Sequence, residues 1–185
     1  QKDSSSSKEQ LQEIAKTIYG KGWIELKEEK EINPATIFQQ QGRAFGLGTD
    51  DNMQEVKVET DELGITHYRF QQYYKGIKVE GGEYIVHAQN GIALRSNGKL
   101  AENLTINTTP SISEADGLNA ALAEINANQY MWEIDNKYYP KGRLVIPCIS
   151  SEYDFAPENF CLAYKFDIYC NYPYGRYAVY IDANT

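Results

Sequence analysis

Few residues in this chain are of a type that could run chemistry. His67 and His87 are the only histidines and Cys148, Cys161 and Cys170 the only cysteines among 185 residues. Two histidines on neighbouring strands, joined by Glu83 or Glu80, would suit a zinc ion, whose ordinary ligands include imidazole and carboxylate. Against that, a strand histidine is more commonly a half-buried polar side chain whose nitrogens are met by its neighbours. The sequence also lacks HExxH, GxSxG, a P-loop and GxGxxG. No two cysteines have CxxC spacing, and no signature base accompanies any of them to activate a thiolate. The expectation is no catalytic residue, no metal and no cofactor.

The cysteines leave two readings open. If residues 143–148 and 161–169 form an antiparallel hairpin, Cys148 and Cys161 face each other across the loop neck at bridging distance, and Cys170 stays unpaired. The other reading is three buried free thiols.

The elements that would position these groups follow from spacing. Ser7 to Gln10 fits a capping box, and Leu11, Ile14, Ala15 and Ile18 recur at helical spacing up to Gly20. Asn33 and Pro34 open a second, short helix carrying Ile37 and Phe38, with Gly42 to close it. From Glu55 the period changes to two. Residues 55–59, 66–74 and 84–88 read as strands, separated by Lys75-Gly76, Asn90-Gly91 and Asn97-Gly98, each suited to a tight turn. Ser113 with Asp116 caps a further helix bearing Leu118, Ala121, Leu122 and Ile125, and strands are expected at 144–148, 161–169 and 176–181.

Helix then strands, twice over, is an α+β arrangement of two small units, each a helix on an antiparallel sheet. The expected divisions are 1–32 (a polar, serine-rich leader and amphipathic helix), 33–107 and 108–185. With 26 acidic against 18 basic residues the formal charge is −8, a poor surface for neutralising phosphates, so nucleic acid is not an expected partner. No apolar run reaches the ~20 residues needed to span a bilayer. Fifteen tyrosines suit both sheets and protein interfaces. Along 67–74, His67, Arg69, Gln71 and Tyr73 alternate with Tyr68, Phe70, Gln72 and Tyr74, so one strand has two distinct faces.

Residues 64–98, GITHYRFQQYYKGIKVEGGEYIVHAQNGIALRSNG, resemble the core of the fungalysin/thermolysin propeptide domain. That pattern reads roughly GxTHxRFxQxYxGxxV, followed by GGE, a strand histidine and two glycine turns. Ala35 to Phe38, Ala44 to Leu47 and Asp61 to Gly64 extend the likeness upstream. Residues 111–125, 162–166 and 177–183 are similar to the PepSY (cystatin-like) module that follows in such pro-regions, whose last strand here is followed by little chain, as in a truncated unit. The cysteines and the aromatic stretch 129–140 depart from the pattern.

The resemblance implies a non-catalytic propeptide of a secreted thermolysin-like metallopeptidase, acting as intramolecular chaperone and inhibitor. The expected partner is the peptidase domain of the same precursor, and the place secreted, periplasmic or cell-surface. A free-standing secreted inhibitor or binding module of the same fold is the alternative. Carried over from the motif, Arg69, Gln71, Gln72 and Tyr74 are the expected partner-binding residues.

Overall fold

The computed structural model describes residues 6–184; the expected leader falls largely outside them. Helix α1 (Ser7–Ile14) is opened by a capping box set one residue earlier than the sequence reading. Ser6 Oγ accepts from the Glu9 N–H at 3.3 Å, and Glu9 Oε2 accepts from the Ser6 N–H at 2.8 Å. The helix stops at Ile14 and does not run on to Gly20. Residues Ala15–Ile18 form strand β1, paired antiparallel with β2 (Trp23–Leu26). Helical spacing of Ile14 and Ile18 misled here, because Ile18 is left half exposed while Ala15, Ile24 and Leu26 are buried.

Helix α2 (Ile37–Gln41) follows an Asn33 turn in which Oδ1 accepts from the Ala35 N–H at 2.9 Å. Gly42 does not close it. It keeps a right-handed conformation and leads into a 3-10 turn that ends at left-handed Gly46.

The antiparallel meander expected from the period-two segments is present as β3 (Asp51–Thr60), β4 (Thr66–Tyr74), β5 (Ile77–Gln89) and β6 (Ile92–Gly98). Lys75-Gly76 and Asn90-Gly91 have left-handed φ at both positions, the geometry of a two-residue hairpin. Asn97-Gly98 is not a turn. It closes β6 opposite Ile85 and Tyr84, and a Cβ on Gly98 would lie 2.3 Å from the Glu83 carbonyl oxygen, so the glycine serves close backbone approach.

In the second half, α3 (Glu114–Ile125) carries the expected Ser113–Asp116 box and ends at left-handed Asn126. It packs on β9 (Ala163–Tyr172) and β10 (Gly175–Asp182), which follow the short strands β7 (Gln129–Tyr130) and β8 (Arg143–Ile146). The class is α+β, with one mixed ten-stranded sheet. Its order is β1-β2-β6-β5-β8-β9-β10, with β3 and β4 paired outward from β5 and β7 from β9.

The two halves are joined at β5. Lys78 and Val79 pair in parallel with Val145 and Ile146 of β8. Two cores rest on this sheet. One contains Leu26, Ile37, Phe38, Phe45, Phe70 and Tyr84; the other contains Tyr74, Val79, Leu118, Leu162, Phe166 and Ile168. Phe70 and Tyr74 lie four residues apart on β4, hence on one face, and each belongs to a different core. One side of β4 therefore feeds both cores, and Arg69 and His67 occupy its other side.

Candidate functional site

Of the four residues expected to meet a partner, three are inside the chain. Gln72 is fully buried and acts as a substitute strand partner for the segment after β6. Its Nε2 donates to the Ala101 carbonyl at 2.8 Å and to Asp51 Oδ1 at 2.9 Å, and its Oε1 accepts from the Ala101 N–H at 2.9 Å. Asp51 is half-buried, and that burial pushes its carboxyl upward despite hydrogen bonds from Gly48 and Gln72.

Gln71, also buried, ties down the place where β5 leaves β4. Tyr73 pairs with Lys78 and Gln71 with Glu83, so residues 79–82 bulge opposite the single residue Gln72. The Gln71 amide donates to the carbonyls of Val79 (2.7 Å), Gln72 (3.0 Å) and Gly82 (3.1 Å). Strict alternation puts Gln71 on the open face; the bulge folds over it, and the Gly81-Gly82 pair was the sequence signal for that bend. Tyr74 lies in the second core. Arg69 alone of the four projects outward, its Nε 3.5 Å from Glu59 Oε1.

The two histidines do come together. His67 and His87 are directly opposite on β4 and β5, with Nδ1 atoms 2.7 Å apart. The outer nitrogen of His67 meets Asp61 Oδ2 at 3.0 Å, and that of His87 meets Asn97 Oδ1 at 2.7 Å. Trp23 stacks over His87, ring centroids 5.4 Å apart and 10° from parallel. Burial, followed by the positive charge of His67, Arg69 and Arg95, lowers the His87 pKa against a raising hydrogen bond to Asn97. Asp61 also accepts from the Leu63 and Ile65 N–H groups, and these bonds with His67 hold its carboxyl low.

The carboxylates thought of as metal partners do not join the histidines in a metal site. Glu83 stands opposite Gln71, and Glu80, carried on the β5 bulge, reaches Lys165 at 2.8 Å and the Tyr180 hydroxyl. Among the described residues no three His, Cys, Asp or Glu side chains group as a metal site.

The thiols are free, and the register explains their separation. Arg143 pairs with Lys165 and Val145 with Ala163, which carries Cys148 opposite Phe160, one residue away from Cys161. In a strand pair a one-residue offset places the two side chains on opposite faces. Cys148 Sγ donates to the Asp154 carbonyl instead, while burial, with Asp182 nearby, pushes the Cys161 thiol up.

Sequence reasoning missed the polar network on β8–β10. Lys165 lies over the Tyr180 ring, Asp167 receives Arg143 at 3.0 Å, and Arg176 lies over Tyr169. Residues 165, 167 and 169 alternate with the buried 164, 166 and 168, so this face was legible as polar, but its connection to Glu80 required the β5–β8 pairing.

Taken together, the described strands offer hydrogen-bonding and aromatic surface, and several of their titratable groups meet one another. The class of the molecule is α+β. Residues 51–100 match the sequence model of the Fungalysin/Thermolysin Propeptide Motif, so this chain carries that motif on β3–β6. It is similar to thermolysin of Alicyclobacillus acidocaldarius subsp. acidocaldarius and to thermolysin of Bacillus caldolyticus, 35% identical to each over 79 residues, 40% of this chain and 14% of theirs. It is 33% identical over 110 residues to the thermostable neutral protease NprT of Geobacillus stearothermophilus, covering 55% of this chain and 20% of that protein. The chain thus spans a fifth or less of the length of these relatives.

Proposed function

We propose that this chain is a non-catalytic pro-region of a thermolysin-like metallopeptidase precursor, which assists folding of the peptidase domain and blocks its cleft. The observation that carries this reading is the propeptide motif at residues 51–100, together with the similarity of the chain to thermolysins. A role in templating and blocking asks for a preformed complementary surface and no reactive group. The open sheet face fits that demand, since it offers the Arg69 guanidinium together with part-exposed Trp23 and Tyr180. Arginine, tryptophan and tyrosine are the side chains most often found as interface anchors.

In this reading Arg69 touches the peptidase, whereas Gln71, Gln72 and Tyr74 support binding by fixing the strand on which Arg69 sits. Residues 33–107 form the propeptide unit and 108–185 a PepSY-like unit beside it, with 1–32 leading in. The place of action is secreted, periplasmic or cell-surface, as follows from a peptidase of that type.

The test adds the isolated chain to denatured cognate peptidase and, separately, to the active enzyme. A raised refolding yield or a loss of activity is the expected result. No effect in either arm overturns the proposal. A coding sequence without HExxH downstream, combined with inhibition, would select the free-standing inhibitor.

A further inference from the structure

The His67–His87 contact has a proton capacity set by geometry. At 2.7 Å two imidazole nitrogens form a hydrogen bond only when one carries the proton and the other a lone pair. Two N–H groups do not fit face to face at that distance. The outer nitrogen of His67 faces a carboxylate and so carries a proton. The outer nitrogen of His87 faces the Asn97 side-chain amide, whose oxygen and nitrogen ends are assigned from the network. With the oxygen inward that nitrogen is N–H, and the pair holds three protons. With the amide turned, it holds two. Neither setting has room for a fourth.

In the unfolded chain each histidine takes its second proton near pH 6.5, so four protons are held below that value. The folded pair refuses at least one of them. We propose that His67 and His87 form an acid-sensitive latch between β4 and β5: the fourth proton breaks the Nδ1–Nδ1 bond and loosens the central strands of the propeptide motif.

The surroundings give a second cation nowhere to go. Asp61, in the turn before β4, already holds His67. On β3, Glu59 stands opposite His67 but is engaged by Lys57 at 2.5 Å and Arg69 at 3.5 Å. On β2, Glu25 is held by Lys16 at 3.1 Å and by the Tyr19 hydroxyl at 2.8 Å. Arg69 on β4 and Arg95, opposite His87 on β6, both oppose further positive charge. Trp23 favours one cation beneath its ring, a modest attraction that does not relieve the N–H to N–H clash.

The sign follows from linkage. A histidine kept from protonating in the fold contributes stability that is complete above about pH 6.5 and is lost as the pH falls. The latch concerns the fold of this chain and is independent of the peptidase reading.

The experiment is chemical denaturation of the protein and of His87→Gln at pH 7.5, 6.5, 5.5 and 5.0, with ¹⁵N NMR of the imidazoles of the unaltered protein. For one refused proton, the unfolding constant of the unaltered protein rises relative to the variant by up to about tenfold per pH unit below pH 6.5. NMR is expected to show a shared Nδ1 proton at neutral pH and its loss with acid. Equal pH slopes for the two proteins, or four protonated ring nitrogens at pH 5.0 with the β4–β5 contacts intact, would overturn the latch. If His87→Gln does not fold, the NMR titration decides alone.

Discussion

β4 and β5 add polar fixed points to their share of the apolar cores: Gln72 against the Ala101 backbone, Gln71 against three carbonyls of the bulge, and His67 against His87. In β9 they are apolar, with Phe166 and Ile168, and Leu162 just before the strand, fully buried in the core that α3 shares. A buried amide tolerates almost no substitution, because any replacement leaves backbone groups without partners. A hydrophobic core accepts many sequences of similar volume and pattern. The sequence motif at residues 51–100 falls on the strands that carry these buried amides.

The contrast can be broken at its strongest points first. Phe166→Ala empties a fully buried site in the second core and is expected to cost about 3–5 kcal/mol, measured by urea denaturation. A loss under about 1 kcal/mol would show that the second core does not support its half as described. Gln72→Ala strips the Ala101 N–H and carbonyl of their partner and is expected to cost about 2–4 kcal/mol, from two buried groups left unpaired. Hydrogen exchange should show the Ala101 amide opening early, and unchanged protection there would argue that the Gln72 side chain does not hold this segment.

Ser113→Ala removes the acceptor for the Asp116 N–H at the start of α3, and a loss of about 1 kcal/mol is expected in thermal or chemical unfolding. Arg69→Ala sharpens the comparison from the other side. Its exposed pairing with Glu59 carries little stability, so the unfolding midpoint should stay in place while affinity for the cognate peptidase falls. A shift in the midpoint with unchanged affinity would assign Arg69 to the fold alone.

Much of this architecture was legible along the chain. The Ser113–Asp116 cap, the β4 segment and the two hairpin turns at Lys75-Gly76 and Asn90-Gly91 follow from local chemistry, and local chemistry suffices because partner and turn lie within a few residues. The misreadings share one cause. Ala15–Ile18 became a strand because β2 offered a partner, Asn97-Gly98 stayed in β6 because Tyr84 and Ile85 lay alongside, and Gln71 was buried by a bulge. In each case a distant backbone outcompeted a local preference.

By itself the sequence determined the period of each segment, the caps and tight turns, the α+β class and the motif likeness, since these depend on neighbours within about ten residues. The tertiary structure alone decided that β5 meets β8 and so joins two cores on one sheet, that Cys148 faces Phe160, and that His67 and His87 meet through their Nδ1 atoms. Those outcomes depend on strand register, which is set by how whole faces pack, and a shift of one residue would exchange every inward side chain for an outward one.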